Sequence, residues 1–574
     1  MKQKIKSLNL FLFLLTSNCY AITLFLFFIF FTFFPSISFA SDSPPANNVF
    51  GIHLAQPNKE DLIKAAQLVN SSGGDWGYVT LVIEENDRQQ DKWQEIFDQL
   101  RELHLIPIIR LATKPKDGNW QKPNIIEADG WASFLNSLNW VIKNRYVVLF
   151  NEPNHASEWE GKVDPKEYAK IALEYGKKLK EKSPDFFVMM AGLDASSPQQ
   201  PPIFWDEYLF LKEIFQTITI DDFERYFDGW ASHSYPNPDF SSSPYRFGRG
   251  SLYTYRWEIE ILKNFGVKKY LPVFITETGW KRSSFLTEDK IAQYFQVASE
   301  DIWMRDPQIM AVTPFILNYQ EKPFIDFSWR KYQSDDFYSY YYTVQSLPKI
   351  KGDPAQEEKG EVRFSLPKEL VAHSQYHFSL VLKNNGQAIW DTSDNYYLSS
   401  EINPEFSNIE LNFQEIKDLK PYEEKRIDFF IKTKNKASKA SVNFLLKKNN
   451  QVVLRFPSWS FSILPLPSLK IYANYWPFGK AKGNDFEIQI FNFEEKIVFD
   501  KKGVNFKNGV AELKDIQNIT LNDLYRIVIL KKGFLPRQSY LVFKKEGNQI
   551  KFKPLLPFDR NGDGKFSLID LWIF

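Results

Sequence analysis

The chain has 574 residues, with 71 lysines and arginines against 70 aspartates and glutamates, so its formal net charge is +1. This balance disfavours nucleic acid or an anionic membrane surface as an electrostatically bound partner. A chain of this length exceeds what one hydrophobic core usually supports. The sequence therefore predicts one large domain accompanied by smaller ones.

Residues 1–40 have the pattern of an export signal. A lysine-containing start precedes a mostly apolar run from Leu10 to Phe34, and small residues lie at the positions that determine cleavage after Ala40. We therefore expect export to the cell exterior or cell surface, with an uncleaved membrane anchor as the alternative. Because Cys19 is the only cysteine, the mature chain is predicted to have neither a disulfide nor a cysteine-based metal site.

Residues 41–348 alternate apolar, strand-like runs with helix-like segments. The eight runs begin near Val49, Trp76, Ile106, Tyr146, Phe187, Gly229, Val273 and Ile309. Eight β/α units over about 300 residues match a (β/α)8 TIM barrel, whose functional groups lie at the carboxyl ends of the strands. A doubly wound open sheet is the structural alternative. No glycine-rich phosphate loop follows the first run, which disfavours nucleotide binding.

The pattern changes after residue 348 to alternating strands and turn dipeptides. A polar linker at 349–360 is predicted to precede an immunoglobulin-like β-sandwich at 361–465 and a second β-module at 466–555. The stretch LKNNGQAIWDTSDNYYL resembles Ig-like modules appended to extracellular bacterial enzymes. Its Trp390 is either a core residue, which we favour, or a platform for a sugar ring.

The tail, residues 556–574, contains the spacing of a calcium loop. Oxygen-bearing side chains alternate there, and a glycine permits the sharp turn around a hard cation. The predicted ligands are Asp559, Asn561, Asp563, Ser567 and Asp570, with Gly564 at the turn. The loop resembles that of a dockerin. A dockerin has two such loops, and only four residues follow this one, which disfavours cohesin as a partner.

Two glutamates end apolar runs. Asn151-Glu152-Pro153 follows YVVLF, and Thr276-Glu277 follows PVFI. These phrases closely resemble the fourth- and seventh-strand motifs of glycoside hydrolase clan A, in particular families 5 and 39. They fall on the fourth and seventh predicted strands, which the resemblance requires. Either motif alone could be only a turn or a strand end.

The resemblance implies a retaining mechanism without a catalytic cofactor. Glu152 would be the general acid and base, and Glu277 the nucleophile that forms a glycosyl ester. Asn151 would hydrogen-bond the sugar 2-hydroxyl, an interaction that strengthens in the transition state.

Further substrate contacts are expected from other strand ends. His233 and Tyr235, in DGWASHSYPNP, match the sixth-strand His-x-Tyr of many clan members. Arg110 on the third strand is predicted to support Glu277 by its charge. His53 on the first strand and Trp280 after the nucleophile are predicted either to contact sugar at the rim or to pack.

The sequence thus predicts an exported retaining O-glycoside hydrolase that cleaves a β-linked polysaccharide or oligosaccharide, with endo action favoured. One alternative is a non-catalytic carbohydrate-binding or adhesion protein of the cell surface, with the β-modules as its stalk. Another is a calcium-dependent assembly subunit that uses the tail for docking. The intact glutamate pair favours the enzyme.

Overall fold

The computed structural model describes residues 48–402, 409–568 and 570. The predicted export signal and Cys19 lie outside these residues. Every helix within the described ranges is too short or too polar to cross a membrane.

Eight parallel strands form the N-terminal domain. They are β1 Gly51–His53, β2 Gly77–Glu84, β3 Leu105–Ala112, β4 Arg145–Leu149, β5 Phe186–Met190, β6 Trp230–His233, β7 Val273–Glu277 and β8 Ile309–Val312. Strands β1 to β5 pair in chain order, as do β6 to β8. Parallel bridges Asp194–His233 and Phe50–Val312 join the two groups. The result is a TIM-barrel-like α/β domain, as the eight predicted units indicated.

A helix follows every barrel strand and covers its outer side. The helices are α1 Lys59–Val69, α2 Gln90–Glu102, α3 Ala128–Ser137, α4 Pro165–Lys182, α5 Glu207–Thr217, α6 Ile220–Tyr226, α7 Thr254–Phe265, α8 Glu288–Val297 and α9 Ser339–Ser346. Their starts are encoded locally: Asp164 accepts a hydrogen bond from the Glu167 amide, 3.0 Å, and Pro165 occupies the first helical position of α4.

Aromatic side chains fill the barrel interior. The rings of Tyr146 and Phe274 have centroids 4.9 Å apart, and Tyr146 also packs 6.2 Å from Tyr78. All three residues are buried. This packed interior closes the barrel below the strand ends, so the polar residues that follow β4 and β7 gather above it.

The C-terminal part is made of β-strands. Its first module contains β9 Gly360–Arg363, β10 Glu369–Val371, β11 Gln375–Asn384, β12 Tyr396–Ile402, β13 Ile409–Phe413, β14 Glu424–Thr433, β15 Ala437–Lys448 and β16 Gln451–Leu464. Two four-stranded sheets result, ordered β9-β11-β14-β13 and β10-β16-β15-β12. The second module contains β17 Leu469–Tyr472, β18 Gly483–Phe491, β19 Ile497–Phe506, β20 Val510–Leu513, β21 Leu524–Lys531, β22 Phe534–Val542 and β23 Gln549–Lys551.

The segment 349–360 is hydrogen-bonded to both the barrel domain and the first β-module. Ala355 accepts a hydrogen bond from the Lys143 amide of the barrel domain, 2.8 Å, and Glu358 accepts one from the Trp390 indole, 2.8 Å. Trp390 is fully buried, so it is a core residue and offers no platform to a sugar.

The two β-modules share one continuous hydrophobic core. The Tyr376 hydroxyl of the first module donates to the Ile519 carbonyl of the second, 2.9 Å. The boundary near residue 465 therefore separates two sheet systems that pack on each other.

Candidate active site

Glu152 lies on the turn that leaves β4. Phe150 and Glu152 both have positive φ angles, 74° and 30°, which are costly for residues with side chains. The turn is held by the Glu152 amide, which donates to the Gly192 carbonyl, 3.2 Å, and by the His155 amide, which donates to the Glu152 carbonyl, 2.9 Å. The backbone thus fixes the direction in which the Glu152 carboxyl leaves the chain.

Glu277 is the last residue of β7. An irregularity in the β6–β7 pairing places His233 opposite Glu277, because Thr276 is skipped in the register. His233 Nδ1 lies 2.7 Å from Glu152 Oε1, and the Tyr235 hydroxyl donates to Glu277 Oε2, 3.1 Å. His233, at the end of β6, and Tyr235, two residues beyond it, therefore each contact one of the two carboxyl groups.

The two carboxyl groups face each other at close range. One oxygen of Glu152, one oxygen of Glu277 and a ring nitrogen of His233 all lie within 4.8 Å of one another. Glu277 is 8% exposed, whereas Glu152 is more open to solvent. The pair therefore combines proximity with different environments.

Arg110 reaches the site from β3. Its Nη1 donates to Asn151 Oδ1, 2.7 Å, and also to Glu277 Oε1. The guanidinium thus joins Asn151, the residue before Glu152, to the other glutamate. This is the charged contact with Glu277 that the sequence predicted for Arg110.

The charges around Glu277 keep it ionised. Burial alone would raise the pKa of Glu277, but the positive charges of His233 and Arg110 outweigh burial and lower that pKa to about 2. For His233, burial would lower the pKa, but the negative charges of Glu277 and Glu152 raise it above its usual value. Burial and the charge of Glu277 hold the pKa of Tyr235 well above its usual value, so Tyr235 remains a hydrogen-bond donor.

His53 and Trp280 do not lie on an open rim. His53 is buried, with Nε2 3.8 Å from Glu277 Oε1, and burial lowers its pKa to about 3. Trp280 is 3% exposed, and its indole donates to the Ser242 carbonyl, 2.8 Å, while packing against Phe295. Trp280 therefore packs, and His53 adjoins Glu277 as a neutral imidazole.

Three residues near the pair were not predicted from the sequence. Gly192 lies against His233: a Cβ on Gly192 would come 2.6 Å from His233 Nε2. Asp194 Oδ2 lies 2.9 Å from His155 Nε2. Glu158 lines a pocket together with Arg110 and Asn151. All three depend on contacts between different strand ends, for which a single sequence carries no local signal.

A buried carboxyl pair lies behind the site, on α5 and α7. Glu207 and Glu258 are fully buried and lie next to each other. Glu258 Oε2 accepts from the Trp230 indole, 2.9 Å. Burial, together with the charge of Glu258, holds the pKa of Glu207 well above its usual value.

Glu152, His233 and Glu277 also have the donor atoms of a metal site. Arg110 already places a positive charge on Glu277. A divalent cation between the carboxyl groups would therefore be repelled by Arg110. The arrangement suits acid–base and nucleophilic chemistry better than metal binding.

The tail loop is closed by its own side chains. Asp570 Oδ1 accepts from the Arg560 amide, 2.9 Å, and its Oδ2 accepts from the Ser567 amide, 2.7 Å. Asp559 is 6% exposed, and its Oδ1 has no hydrogen-bond partner among the described residues. The atoms that could bind a metal ion here are all oxygens, and Asp559 Oδ1 is buried without a hydrogen-bond partner among the described residues. This set of ligands fits a hard cation such as Ca²⁺.

No protein-family model and no curated protein matches this chain. Several solved glycanase structures are similar to it. An endo-β-1,4-glucanase from Xanthomonas axonopodis pv. citri has 11% identity and a TM-score of 0.34, covering 52% of this chain and 97% of its own. A β-mannanase from Thermomonospora fusca has 12% identity and a TM-score of 0.35, covering 53% of this chain and 92% of its own. A family 44 xyloglucanase from Paenibacillus polymyxa has 9% identity and a TM-score of 0.34, covering 68% of this chain and 97% of its own. Likeness at this level does not assign the chain to a family.

Proposed function

We propose that the chain is an exported, retaining glycoside hydrolase of clan A type that cleaves a β-linked polysaccharide or oligosaccharide. Glu152 is the general acid and base in this proposal, and Glu277 is the nucleophile. The two motifs resemble those of families 5 and 39, and the eight-stranded domain carries both at strand ends. Endo action is favoured, and association with the cell surface accompanies export.

The spacing of the two carboxyl groups carries this proposal. Oxygens of Glu152 and Glu277 lie within 4.8 Å of each other. Retaining enzymes hold their carboxyl groups about 5 to 5.5 Å apart, whereas inverting enzymes separate them by about 6.5 to 9.5 Å to admit a water. The spacing leaves too little room for that water, which favours direct attack by Glu277.

The reaction then proceeds in two displacements. Ionised Glu277 attacks the anomeric carbon while Glu152 gives its proton to the departing glycosidic oxygen, which breaks that bond and forms a glycosyl ester. Glu152, now a carboxylate, takes a proton from water as the water attacks the same carbon and releases Glu277. Two inversions restore the original anomeric configuration.

The surrounding residues hold these groups in the states the two steps need. Tyr235 and Arg110 bind the two oxygens of Glu277, which orients the nucleophile. His53 lies beside Glu277 as a buried, neutral imidazole whose ring packs against Phe315.

A substrate panel tests the reaction and its stereochemistry. We expect the protein to hydrolyse an aryl β-glycoside or a β-linked polysaccharide of the glucan, mannan or xylan type, with the β-anomer formed first in proton NMR. An α-anomer as the first product contradicts retention. Binding to polysaccharide without turnover of any substrate instead supports the carbohydrate-binding alternative.

We further propose that the tail loop binds one Ca²⁺ through Asp559, Asn561, Asp563, Ser567 and Asp570. The unpaired, buried Oδ1 of Asp559 supports this proposal, because a buried carboxylate oxygen without a partner is costly. The bound ion would stabilise the tail and has no part in the two chemical steps.

Calorimetry tests the calcium site. We expect the chelator-treated protein to take up one Ca²⁺ and Asp559→Ala to lose this uptake. A ligand that binds only the folded state should raise the unfolding free energy of the tail region by about 2.7 kcal/mol at about 100 times its Kd. The control is Asp500→Asn, an exposed carboxylate of β19, which should bind as wild type. Absence of uptake by the wild-type protein contradicts the site.

A further inference from the structure

A pocket opens next to Arg110 and Asn151, between the end of β3 and the turn after β4, and its empty space measured out to the open solvent is about 390 Å³. Its polar lining consists of Arg110, Thr113, Trp120, Gln121, Asn151 and Glu158. Trp120 is half-buried, and its carbonyl accepts from the Glu160 amide, 2.8 Å, which ties the 115–120 hairpin to the turn. An aromatic face beside several hydrogen-bonding groups is the usual composition of a sugar subsite.

Glu158 is held firmly in this pocket. The short helix Ala156–Glu158 that carries it is anchored by the Ala156 amide, which donates to the Ile203 carbonyl, 2.8 Å. The Gly161 amide donates back to the Ala156 carbonyl, 2.7 Å. Glu158 is therefore half-buried on a fixed turn that holds it at the pocket. Glu160, two residues along the same turn, is exposed to solvent.

The surroundings of Glu158 favour its neutral form. Burial and then the charge of Glu152 raise the pKa of Glu158 to about 7, with Glu277 acting in the same direction. Arg110 and the nearby Asn151 amide act against them. Burial would lower the pKa of His155, but Asp194, Glu152 and Glu158 raise it, so Glu158 also acts on this imidazole. Below neutral pH, Glu158 therefore offers an O–H donor to the pocket.

We propose that Glu158 is a substrate-contacting residue, whose carboxyl group donates a hydrogen bond to a hydroxyl of the sugar unit in this pocket and makes the pocket selective for a neutral sugar over a uronate. This inference rests on the proposed glycosidase function. A uronate carboxylate would lie close to ionised Glu277 and, above about pH 7, also to ionised Glu158, while Arg110 is already bonded to Glu277 and Asn151. Repulsion between like charges then excludes the uronate.

The test separates the loss of a hydrogen-bond donor at position 158 from a change of charge there. In Glu158→Gln the amide donates at every pH, whereas Glu158→Ala has no donor. We expect the wild-type KM to rise about tenfold as pH increases past about 7, because the donor proton is lost. Glu158→Gln should lose this rise, and Glu158→Ala should have a KM about tenfold higher already near pH 6. The matched control is Glu160→Gln, on the same turn and exposed, which should follow wild type.

Selectivity gives a second readout. Above about pH 7, where Glu158 is ionised, we expect wild type to prefer the neutral glycan over its uronate counterpart by about 100-fold in kcat/KM, and Glu158→Ala to narrow this ratio. If the Glu158→Ala variant is misfolded by circular dichroism, the isosteric Glu158→Gln pH profile decides. A KM rise retained in Glu158→Gln, or an unchanged KM in folded Glu158→Ala, overturns the role of Glu158 while hydrolysis stands. Absence of turnover by wild type overturns the proposed function and this inference with it.

Discussion

Replacing Glu277 with glutamine is expected to lower kcat about 10⁴-fold or more on every substrate, because an amide cannot form the glycosyl ester. Glutamine has nearly the same shape, so the fold should be retained. Glu152→Gln should lower kcat by about 10²- to 10⁴-fold on natural glycans, which need a protonated leaving group, and far less on aryl glycosides with acidic leaving groups. This contrast between substrates separates the acid from the nucleophile.

Rescue of the alanine variants by azide distinguishes the role of Glu152 from that of Glu277. With an activated aryl β-glycoside, azide should restore turnover of Glu152→Ala and give a β-glycosyl azide, since it attacks the glycosyl ester without needing a base. With Glu277→Ala it should attack the substrate directly and give the α-glycosyl azide. The matched control, Glu160→Gln, removes an exposed carboxylate from the same turn as Glu152 and should leave kcat unchanged. Two fully active glutamine variants would show that the pair is not catalytic.

The architecture of the barrel-like domain was accessible from the sequence, because each strand is a short apolar run bounded by polar residues. All eight observed strands begin within two residues of the predicted starts. The positions of Glu152, on the turn after the fourth strand, and of Glu277, at the end of the seventh, followed from this count. Once parallel strands close into a ring, their carboxyl ends meet at one face.

Details that depend on side-chain packing were less accessible. Trp280 follows Glu277 closely in sequence, yet its ring turns into the core against Phe295. Glu158 lies six residues after Glu152, and only the anchored turn brings it back beside Asn151. Such contacts are made between separate strand ends, and no periodicity in the sequence encodes them.

The β-modules show a similar division. Their strands were predictable from alternation and turn dipeptides, but their joint core was not. An alternating strand indicates which face is apolar, without indicating what covers that face. Here the Tyr376 hydroxyl and the Ile519 carbonyl link the two modules, so part of each apolar face is covered by the other module.

Replacing Arg110 with methionine is expected to lower kcat/KM about 10²- to 10³-fold at neutral pH, a loss typical of removing a fixed charge-assisted donor from a reacting group. Methionine fills a similar volume without charge. Arg110 binds both Glu277 and Asn151, so the variant loses the orientation of the nucleophile and of the residue expected to bind the sugar 2-hydroxyl.

The pH profile distinguishes this role from simple packing. The nucleophile acts as its carboxylate, so activity is lost as pH falls through the pKa of Glu277, which is about 2 in the wild-type protein. The acidic limb from Glu277 therefore lies below the range of most assays, and in Arg110→Met it should move upward into that range. Arg110→Lys should keep the limb acidic through its charge but still lose kcat, because the flexible lysine side chain lacks the fixed planar geometry with which Arg110 Nη1 contacts both Glu277 and Asn151. The control is Arg305→Met, which removes an exposed arginine far from these contacts in the sequence. If the acidic limb of Arg110→Met is identical to that of wild type, the Arg110 charge does not set the ionisation of Glu277.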